Sequence, residues 1–235
     1  MSPTTAHGQP IGEPVPGWRP RPRPARVSVV GDSVRLDPIH SGHADALYAA
    51  LCGPDDAPLW TYRHDEMPTD REAMAERVRG LAQGTETVTF TVVPTRGEPS
   101  GHATLMRVDP AAGSVEVGGI LYARSLQRTR AATEAMVLLM RYVFDDLGYR
   151  RYEWKIDSLN APSAAAARRL GFAYEGCFRN AVVYKGRSRD TDWFAMIDDD
   201  FARLRPAYEA WLDSDNFDAD GRQRRALSEL TTVAQ

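Results

Sequence analysis

Apolar positions in the first half of the chain recur at two spacings, and each spacing predicts a different element. Alternation at every second position, bounded by turn residues, predicts strands at residues 34–40, 87–93, 101–108 and 114–122. Turn-forming residues at 94–99 and 109–113 join the last three of these segments. The pattern therefore predicts an antiparallel meander.

Apolar residues three and four positions apart predict helices. The clearest covers residues 131–147, because its apolar side chains form one stripe and Gly148 follows as a C-terminal cap. Thr69 and Glu72 form a capping-box pattern before another helix. Further helices are predicted after Gly42 and over residues 162–170 and 199–213.

Three more strands complete the predicted order β-α-α-β-β-β-α-β-α-β-β: residues 152–156 and two runs within 172–198, on either side of the Lys185-Gly186 turn. This order predicts a single α+β domain over residues 27–213. Residues 1–26 are rich in proline and arginine and predict a solvated arm outside the core, which Trp18 could pin to the body. Residues 214–235 are polar and predict a peripheral tail.

Composition narrows the class of protein. The 235 residues are 43% hydrophobic and 26% charged, as in globular proteins, and no apolar run is long enough for a membrane helix. The N-terminus lacks the pattern of a secretory signal, so we expect a cytoplasmic protein. A net charge of −3 gives no electrostatic case for nucleic-acid binding. Two distant cysteines and scattered histidines predict neither a disulfide framework nor a metal site.

Gly118-Gly119 lies inside an otherwise regular strand. Glycine weakens a strand interior and often marks a bulge or a close backbone approach. A bulge would splay this strand from its neighbour and turn backbone groups toward a cleft, although a simple bend without a ligand is an equal alternative.

An arginine-rich turn precedes the long helix. Arg124, Arg128 and Arg130 lie beside amide groups that a helix N-terminus leaves free, and such amides bind phosphate oxygens. The alternative is a solvated basic loop in which Thr133 caps the helix.

The stretch Asn160-Ala161-Pro162-Ser163 follows the strand at 152–156. Pro162 suits the first turn of a helix, and Asn160 could cap that helix. Alternatively, the Asn160 amide reaches a ligand across the cleft, and the Ser163 hydroxyl is available as a donor.

In order and spacing, these features resemble the GCN5-related N-acetyltransferase (GNAT) superfamily over residues 28–200. The matching segments are QRTRAATEA at 127–135, NAPS at 160–163, RLGFAYEG at 169–176 and KGRSRD at 185–190. The resemblance is greatest to the branch of ribosomal-protein alanine N-acetyltransferases. It implies a mainly antiparallel central sheet with a V-shaped splay, flanked by helices, and transfer of acetyl from acetyl-CoA to an amine.

The resemblance also implies which residues hold acetyl-CoA. The backbone of Ile120, Leu121 and Tyr122 would bind the pantetheine arm, and Asn160 would contact the cosubstrate. The pyrophosphate turn would comprise Gln127, Arg128, Thr129, Arg130, Ala131, Ala132 and Thr133. Arg130 departs from the family pattern, because it stands where the middle glycine is usual.

Catalysis requires a proton acceptor for the amine and a donor for the departing thiolate. Ala167 occupies the position of the tyrosine that many family members use as the donor, so Ser163 is the nearest donor by spacing. Glu116, on the bulged strand, is the first candidate base. Glu134, Asp157 and Glu175 are alternatives. Direct attack needs no cysteine nucleophile, and Cys177 is predicted to fill the core or a strand.

The acceptor would bind between the helices of residues 42–82 and the last hairpin, near Trp60, Tyr62, His64, Asp65 and Glu66. Basic residues of the hairpin (Arg179, Lys185, Arg187 and Arg189) favour an acidic acceptor or a succinyl donor, or only discourage edge pairing. Two other functions stay open: an acyl-CoA sensor without catalysis, and a nucleic-acid module that uses the basic arm. A homodimer is common in families of this kind.

Overall fold

The computed structural model describes residues 2–233. Its strands are β1 (Val29–Val30), β2 (Val34–Pro38), β3 (Val88–Pro94), β4 (Gly101–Asp109), β5 (Ser114–Tyr122), β6 (Arg151–Asp157), β7 (Ala173–Tyr184) and β8 (Arg187–Ile197). Its helices are α1 (Ala44–Leu51), α2 (Arg71–Gln83), α3 (Arg130–Arg141), α4 (Ala161–Arg169), α5 (Asp198–Leu212) and α6 (Leu227–Val233). Within the described residues, no helix combines the length and apolar character needed to cross a membrane.

One sheet contains all eight strands, in the order β1-β2-β3-β4-β5-β6-β8-β7. Every neighbouring pair is antiparallel except β5 and β6, which run parallel because α3 crosses between them. The α+β class and the meander of β3, β4 and β5 are confirmed. The short strand β1 was not predicted.

The single parallel pair opens into a fork. Strands β5 and β6 pair at three positions only, Ser114 with Arg151, Val115 with Tyr152 and Glu116 with Glu153. Beyond Glu116 the remaining residues of the two strands have no partner across this gap. The predicted V-shaped splay is therefore present, and it begins at Glu116.

Helix α3 forms where the apolar stripe predicts it. Thr129 caps its first turn by accepting a hydrogen bond from the amide of Ala132. The last turn, Tyr142–Asp146, widens to π geometry, and Gly148 ends it with φ of +68°. The helix packs against β2, β3 and α5, so one side of the sheet is covered by α3.

The opposite side of the sheet is covered near β3 and β4 by α1 and α2. The N-cap of α2 is Asp70, whose carboxylate accepts a hydrogen bond from the Ala73 amide at 2.8 Å. The capping box of Thr69 and Glu72 was therefore wrong by one residue, because an aspartate beside the threonine is the stronger acceptor for the first free amides.

The N-terminal arm is less solvated than its composition predicts. Trp18 donates from Nε1 to the Ala111 carbonyl at 2.8 Å, and Arg21 lies over its ring. The Tyr142 hydroxyl binds the Ala25 amide, also at 2.8 Å. The arm thus lies along the body from residue 18 onward, as the pinning role for Trp18 anticipated.

The C-terminal residues also differ from a peripheral tail. Leu227 of α6 is fully buried, and α6 packs against α4 and α5. Phe217 packs edge-on against Trp211 of α5 with ring centroids 5.1 Å apart. A few apolar residues in a polar stretch suffice to fold it onto the domain, because burying each large side chain contributes about 2 kcal/mol.

Candidate active site

The bulge at Gly118-Gly119 lies just past Glu116, where β5 and β6 begin to separate. The register between β4 and β5 shifts at this point, and Gly119 has φ of +60°, a conformation that glycine adopts at little cost. The Ala123 amide donates to the carbonyl of Ser100, the residue before β4. Because backbone groups alternate along a strand, Leu121 also faces β4, whereas Ile120 and Tyr122 face the fork.

The turn before α3 presents free amide groups to the same fork. The Ala132 amide donates a hydrogen bond to the Thr129 hydroxyl. In contrast, the amides of Arg128, Arg130 and Ala131 have no hydrogen-bond partner within residues 2–233. Arg128 has φ of +62°, which few residues other than glycine adopt. The loop therefore places its unusual conformation at Arg128 and not at Arg130.

Gln127 stabilises this turn from the strand side. Its Nε2 donates to the Tyr122 carbonyl at 2.9 Å, which occupies one of the fork-facing oxygens. Tyr122 therefore offers only its amide to a ligand in the fork.

The three arginines of the turn have different partners. Arg124 binds Asp56 at 3.0 Å and the Asp55 carbonyl, which connects the turn to the loop after α1. Arg130 binds the Leu212 carbonyl and lies 5.1 Å from the Phe217 ring, so its side chain turns toward the C-terminal segment. Of the three, Arg128 alone is exposed beside the free amides without an ion pair among the described residues.

Thr133 and Ala132, the last residues predicted for the turn, lie inside the helix and are buried. The Thr133 hydroxyl accepts from both Nη atoms of Arg169 at 3.1 Å. The Thr133 side chain therefore joins α3 to α4, and the free amides lie before this point, at Arg128, Arg130 and Ala131.

Asn160 and Ser163 lie on the other side of the fork, at the start of α4. The Asn160 side-chain oxygen accepts from the Ser163 amide at 3.2 Å, as the capping interpretation predicts, and its NH₂ group has no hydrogen-bond partner among the described residues. The Ser163 hydroxyl accepts from Trp154 Nε1 at 3.0 Å. Because its oxygen is the acceptor in that bond, the Ser163 proton is available to another group.

Glu116 lies at the point of the fork, where it is only 3% exposed. Both of its carboxylate oxygens are 2.7 Å from Arg107 Nη1, and Lys155 Nζ lies 3.0 Å from Oε2. Lys155 also binds Glu153 at 2.8 Å. The carboxylate predicted as the first candidate base is thus held between two cations.

Asp157 lies further along β6, near Asn160. Its Oδ2 accepts from the Tyr184 hydroxyl at 2.8 Å, and its Oδ1 accepts from the Leu159 amide at 2.9 Å. The pKa of Tyr184 is raised to about 12, mainly because the side chain is partly buried and secondly because its hydroxyl donates to Asp157. Asp157 therefore joins the end of β6 to the final hairpin through Tyr184.

The other carboxylate candidates have structural partners. Glu134 is buried and accepts from the amides of Asp32 and Ser33, both at 2.7 Å, so it closes the β1–β2 turn. Glu175 forms a paired salt bridge with Arg151. Cys177 lies on β7, as the strand alternative predicts, but its side chain is exposed and fills no core position.

The loop after α1 and the final hairpin are in contact, and an acceptor pocket between them stays a prediction. Lys185 binds Glu66 at 3.1 Å and the Trp60 carbonyl at 3.0 Å. The ring of His64 lies 5.1 Å from that of Tyr184, and the Tyr62 hydroxyl binds the Leu159 carbonyl at 2.9 Å. These contacts close the side of the fork opposite α3.

Sequence reasoning missed three polar residues on this side: Arg63, Arg77 and His102. The signal was present in β4, where His102 and Thr104 place polar side chains at alternate positions within the buried part of the strand, residues 101–105. Arg77 escaped notice because one arginine on the face of a helix is ordinarily solvent-exposed.

Comparison with known proteins agrees with this geometry. A family model described as "Acetyltransferase (GNAT) domain" matches residues 33–173, more than half of the chain. The chain is similar to a GCN5-related N-acetyltransferase from Brucella melitensis, with 40% identity and a TM-score of 0.90 over 93% of this chain and 100% of that one.

Two further relatives extend the comparison. An uncharacterised N-acetyltransferase, p20, of Bacillus licheniformis is 30% identical over 47% of this chain, and the match spans only 62% of p20. An acetyltransferase from Salmonella typhimurium that modifies the N-terminal serine of ribosomal protein L7/L12 shares the fold, at 22% identity and a TM-score of 0.62 over 71% of this chain and 96% of that one. From the matched domain and the forked sheet together, we conclude that this chain belongs to the GNAT family of N-acetyltransferases.

Proposed function

We propose that this protein transfers acetyl from acetyl-CoA to the primary amine of a small molecule or of a peptide N-terminus, by direct attack within the fork between β5 and β6. The observation that carries the proposal is the coincidence of three features at one place. These are the unpaired strands beyond Glu116, the free amides of Arg130 and Ala131, and the Ser163 hydroxyl at the start of α4.

Binding of the cosubstrate follows from the backbone. The diphosphate would bind the free amides at the α3 N-terminus, where the helix dipole favours negative charge, and Arg128 would add a charge-assisted contact. The pantetheine arm would lie along Ile120 and Tyr122, with the Asn160 NH₂ group opposite. This arrangement brings the thioester to the bulge.

At the bulge, backbone amides near Gly119 and Ile120 would stabilise the oxyanion that forms when the amine attacks the thioester carbonyl. Collapse of this intermediate breaks the carbon–sulfur bond and releases the CoA thiolate. The Ser163 hydroxyl would donate a hydrogen bond to that sulfur as its negative charge develops, and the Trp154 indole would hold the hydroxyl oxygen in place. The released thiolate would then take up a proton from solvent.

The amine must lose a proton during attack. We assign that step to Asp157 acting through Tyr184, since the tyrosine hydroxyl already donates to the carboxylate. The amine proton would pass to the Tyr184 oxygen while the Tyr184 proton moves to Asp157. Glu116 is less suited to this step, because Arg107 and Lys155 occupy both of its oxygens.

The experiment takes place in two stages. Calorimetry first measures binding of CoA, and thiol release from acetyl-CoA is then followed with a panel of primary amines. Binding together with amine-dependent thiol release supports the proposal. Tight CoA binding without thiol release for any amine class would instead favour an acyl-CoA sensor.

The two cysteines are free, consistent with a place in the reducing cytoplasm, and the homodimer stays a prediction that light scattering would test.

A further inference from the structure

The acceptor side of the fork contains buried polar groups that lack a partner. In the part of the chain that the structure describes, nine side chains have a buried nitrogen or oxygen atom without a hydrogen bond. Five of the nine lie on this face of the sheet: Arg77, His102, Arg189, Thr191 and Trp193. Unpartnered buried donors cost about 1–3 kcal/mol each, so such a concentration indicates a ligand that supplies acceptor atoms.

The shared face follows from strand pairing. Thr191 is paired with Asp157 and Trp193 with Lys155, and Arg189 precedes them at the same alternation. On β4, His102 is paired with Thr91, whose hydroxyl binds His43 just before α1. Both groups therefore face the side covered by α1 and α2.

Arg63 and Arg77 give this face a surplus of positive charge. Asp65 lies between them, with Oδ1 3.2 Å from Arg63 Nε and Oδ2 2.8 Å from Arg77 Nη2. One carboxylate neutralises one of the two guanidinium groups, which leaves a single net positive charge. The two arginine side chains are only 18% and 14% exposed.

The charged group lies beside the reacting centre. A β-carbon added at Gly119 would lie 3.7 Å from Arg63 Nη1 and 3.1 Å from Thr104 Oγ1. Within residues 2–233, the only side-chain hydrogen bond of Arg63 runs from Nε to Asp65, so its outer nitrogens remain available. His102 is 2% exposed, and its Nδ1 has no hydrogen-bond partner in the described part of the chain.

We propose that Arg63, Arg77 and His102 form a carboxylate-binding site on the acceptor side of the fork. The surplus of one charge matches a carboxylate, and guanidinium donors fit its two oxygens in a paired geometry. This inference rests on the proposed function and narrows its substrate class. The amine that is acetylated carries a carboxylate near the reacting nitrogen, or the transferred acyl group carries it.

Two comparisons separate these sources. Thiol release from acetyl-CoA is measured with free amino acids and with the matching amino acid amides, and succinyl-CoA is then compared with acetyl-CoA on the amides. If the acceptor supplies the carboxylate, we expect kcat/KM for the acids to exceed that for the amides about tenfold or more. If the acyl group supplies it, succinyl-CoA is preferred by a similar factor on the amides.

The variant R63Q should remove whichever preference is found while the Kd for CoA stays unchanged. R71Q is the matched control, because Arg71 lies on α2 but its partner is the exposed Asp45. R63K, which keeps the charge but not the paired donors, should retain part of the preference and serves if R63Q does not fold. Absence of both preferences, or a preference that R63Q leaves intact, overturns the site.

A binding measurement separates failure of this site from failure of the proposed function. N-acetyl amino acids and their amides are titrated by calorimetry into the protein saturated with CoA. Binding of the acids about tenfold tighter than the amides, lost in R63Q, upholds the site even when no thiol release occurs, and only the transfer reaction is then refuted. If the acids and amides bind equally to the CoA complex, and N-succinyl amides bind no tighter than N-acetyl amides, the carboxylate site is refuted whatever the turnover.

Discussion

Glu116 and Glu153 lie opposite each other at the last paired position of β5 and β6, and the Lys155 ammonium is 3.0 Å and 2.8 Å from their carboxylates. Two like charges at directly opposed positions would repel each other. Lys155 and the flanking arginines convert that repulsion into an ion-pair network. The point at which the sheet opens is therefore fixed by charge as well as by strand pairing.

Replacing Lys155 with methionine should destabilise the protein. The substitution leaves two largely buried carboxylates without their common cation, and breaking such a pair costs about 3 kcal/mol. Urea denaturation of K155M measures the loss. R71Q serves as control, since surface ion pairs contribute less than about 1 kcal/mol. A change in K155M as small as in R71Q would show that the network does not hold the fork.

Asp157 and Glu116 should respond differently to conversion to the amide. For D157N we expect kcat to fall about 100-fold, the usual effect of losing a general base. For E116Q we expect lower stability and a kcat within a few-fold of the parent. Raising the pH toward the amine pKa should restore part of the D157N activity, because the amine then loses its proton to solvent. A pH-independent defect in D157N, or a larger kcat loss in E116Q, would reverse the assignment.

Ser163 should affect turnover more than binding. In S163A we expect kcat to fall about 100-fold if the hydroxyl stabilises the departing thiolate by a hydrogen bond, with little change in the Kd for CoA. W154F is the matched control, because it removes the same hydrogen bond from the other side and keeps the hydroxyl. If W154F and S163A lose activity equally, the bond between the two side chains matters and not the proton.

Substitutions of Arg128 and of Arg130 should have different effects, the first on CoA binding and the second on the stability of the fold. R128G removes the exposed guanidinium, and we expect the Kd for CoA to rise about tenfold. Its stability should stay within about 1 kcal/mol of the parent or increase, because glycine accepts the φ of +62° that strains arginine. R130A should instead lower stability by about 1–2 kcal/mol, through loss of the contacts with Leu212 and Phe217, and change the Kd little. The opposite pattern would place Arg130 on the phosphates.

The free energy of unfolding should fall in acid as the Glu175 carboxylate becomes protonated. Hydrogen bonds from Arg151 are the main cause that lowers the pKa of Glu175 below its ordinary value of 4.5. The unfolded chain therefore binds more protons, so the stabilisation is present above pH 4.5 and is lost as pH falls through the lowered pKa. In E175Q the urea midpoint should depend less steeply on pH below 4.5 than in the parent. A slope in E175Q as steep as in the parent would refute this role of the pair between Glu175 and Arg151.

Local pattern was enough to predict most elements and the position of the fork. The stripe from Met136 to Leu147 predicts α3 because a helix must bury one continuous face. Gly118-Gly119 indicates the bulge because glycine in a strand interior costs stability without a backbone reason. The cap at Asn160 follows from an equally local preference.

Side-chain partners far apart in sequence could not be predicted in this way. The sequence around Arg130 predicts a phosphate ligand, yet its side chain binds the Leu212 carbonyl, 82 residues away. The sequence of β5 predicts that Glu116 is a free base, and only the parallel pairing with β6 brings Lys155 to its carboxylate. The C-terminal helix looked peripheral because its buried contacts are all with other elements.

By itself, then, the sequence determined most of the helices and strands, where β5 is interrupted and where the arginine-rich turn precedes α3. These depend on periodicity and backbone preference, which act over a few residues. The tertiary structure decided which carboxylates are neutralised and which donors remain unpartnered near Gly119. Electrostatic and hydrogen-bond energies depend on distances across the sheet, and folding sets those distances.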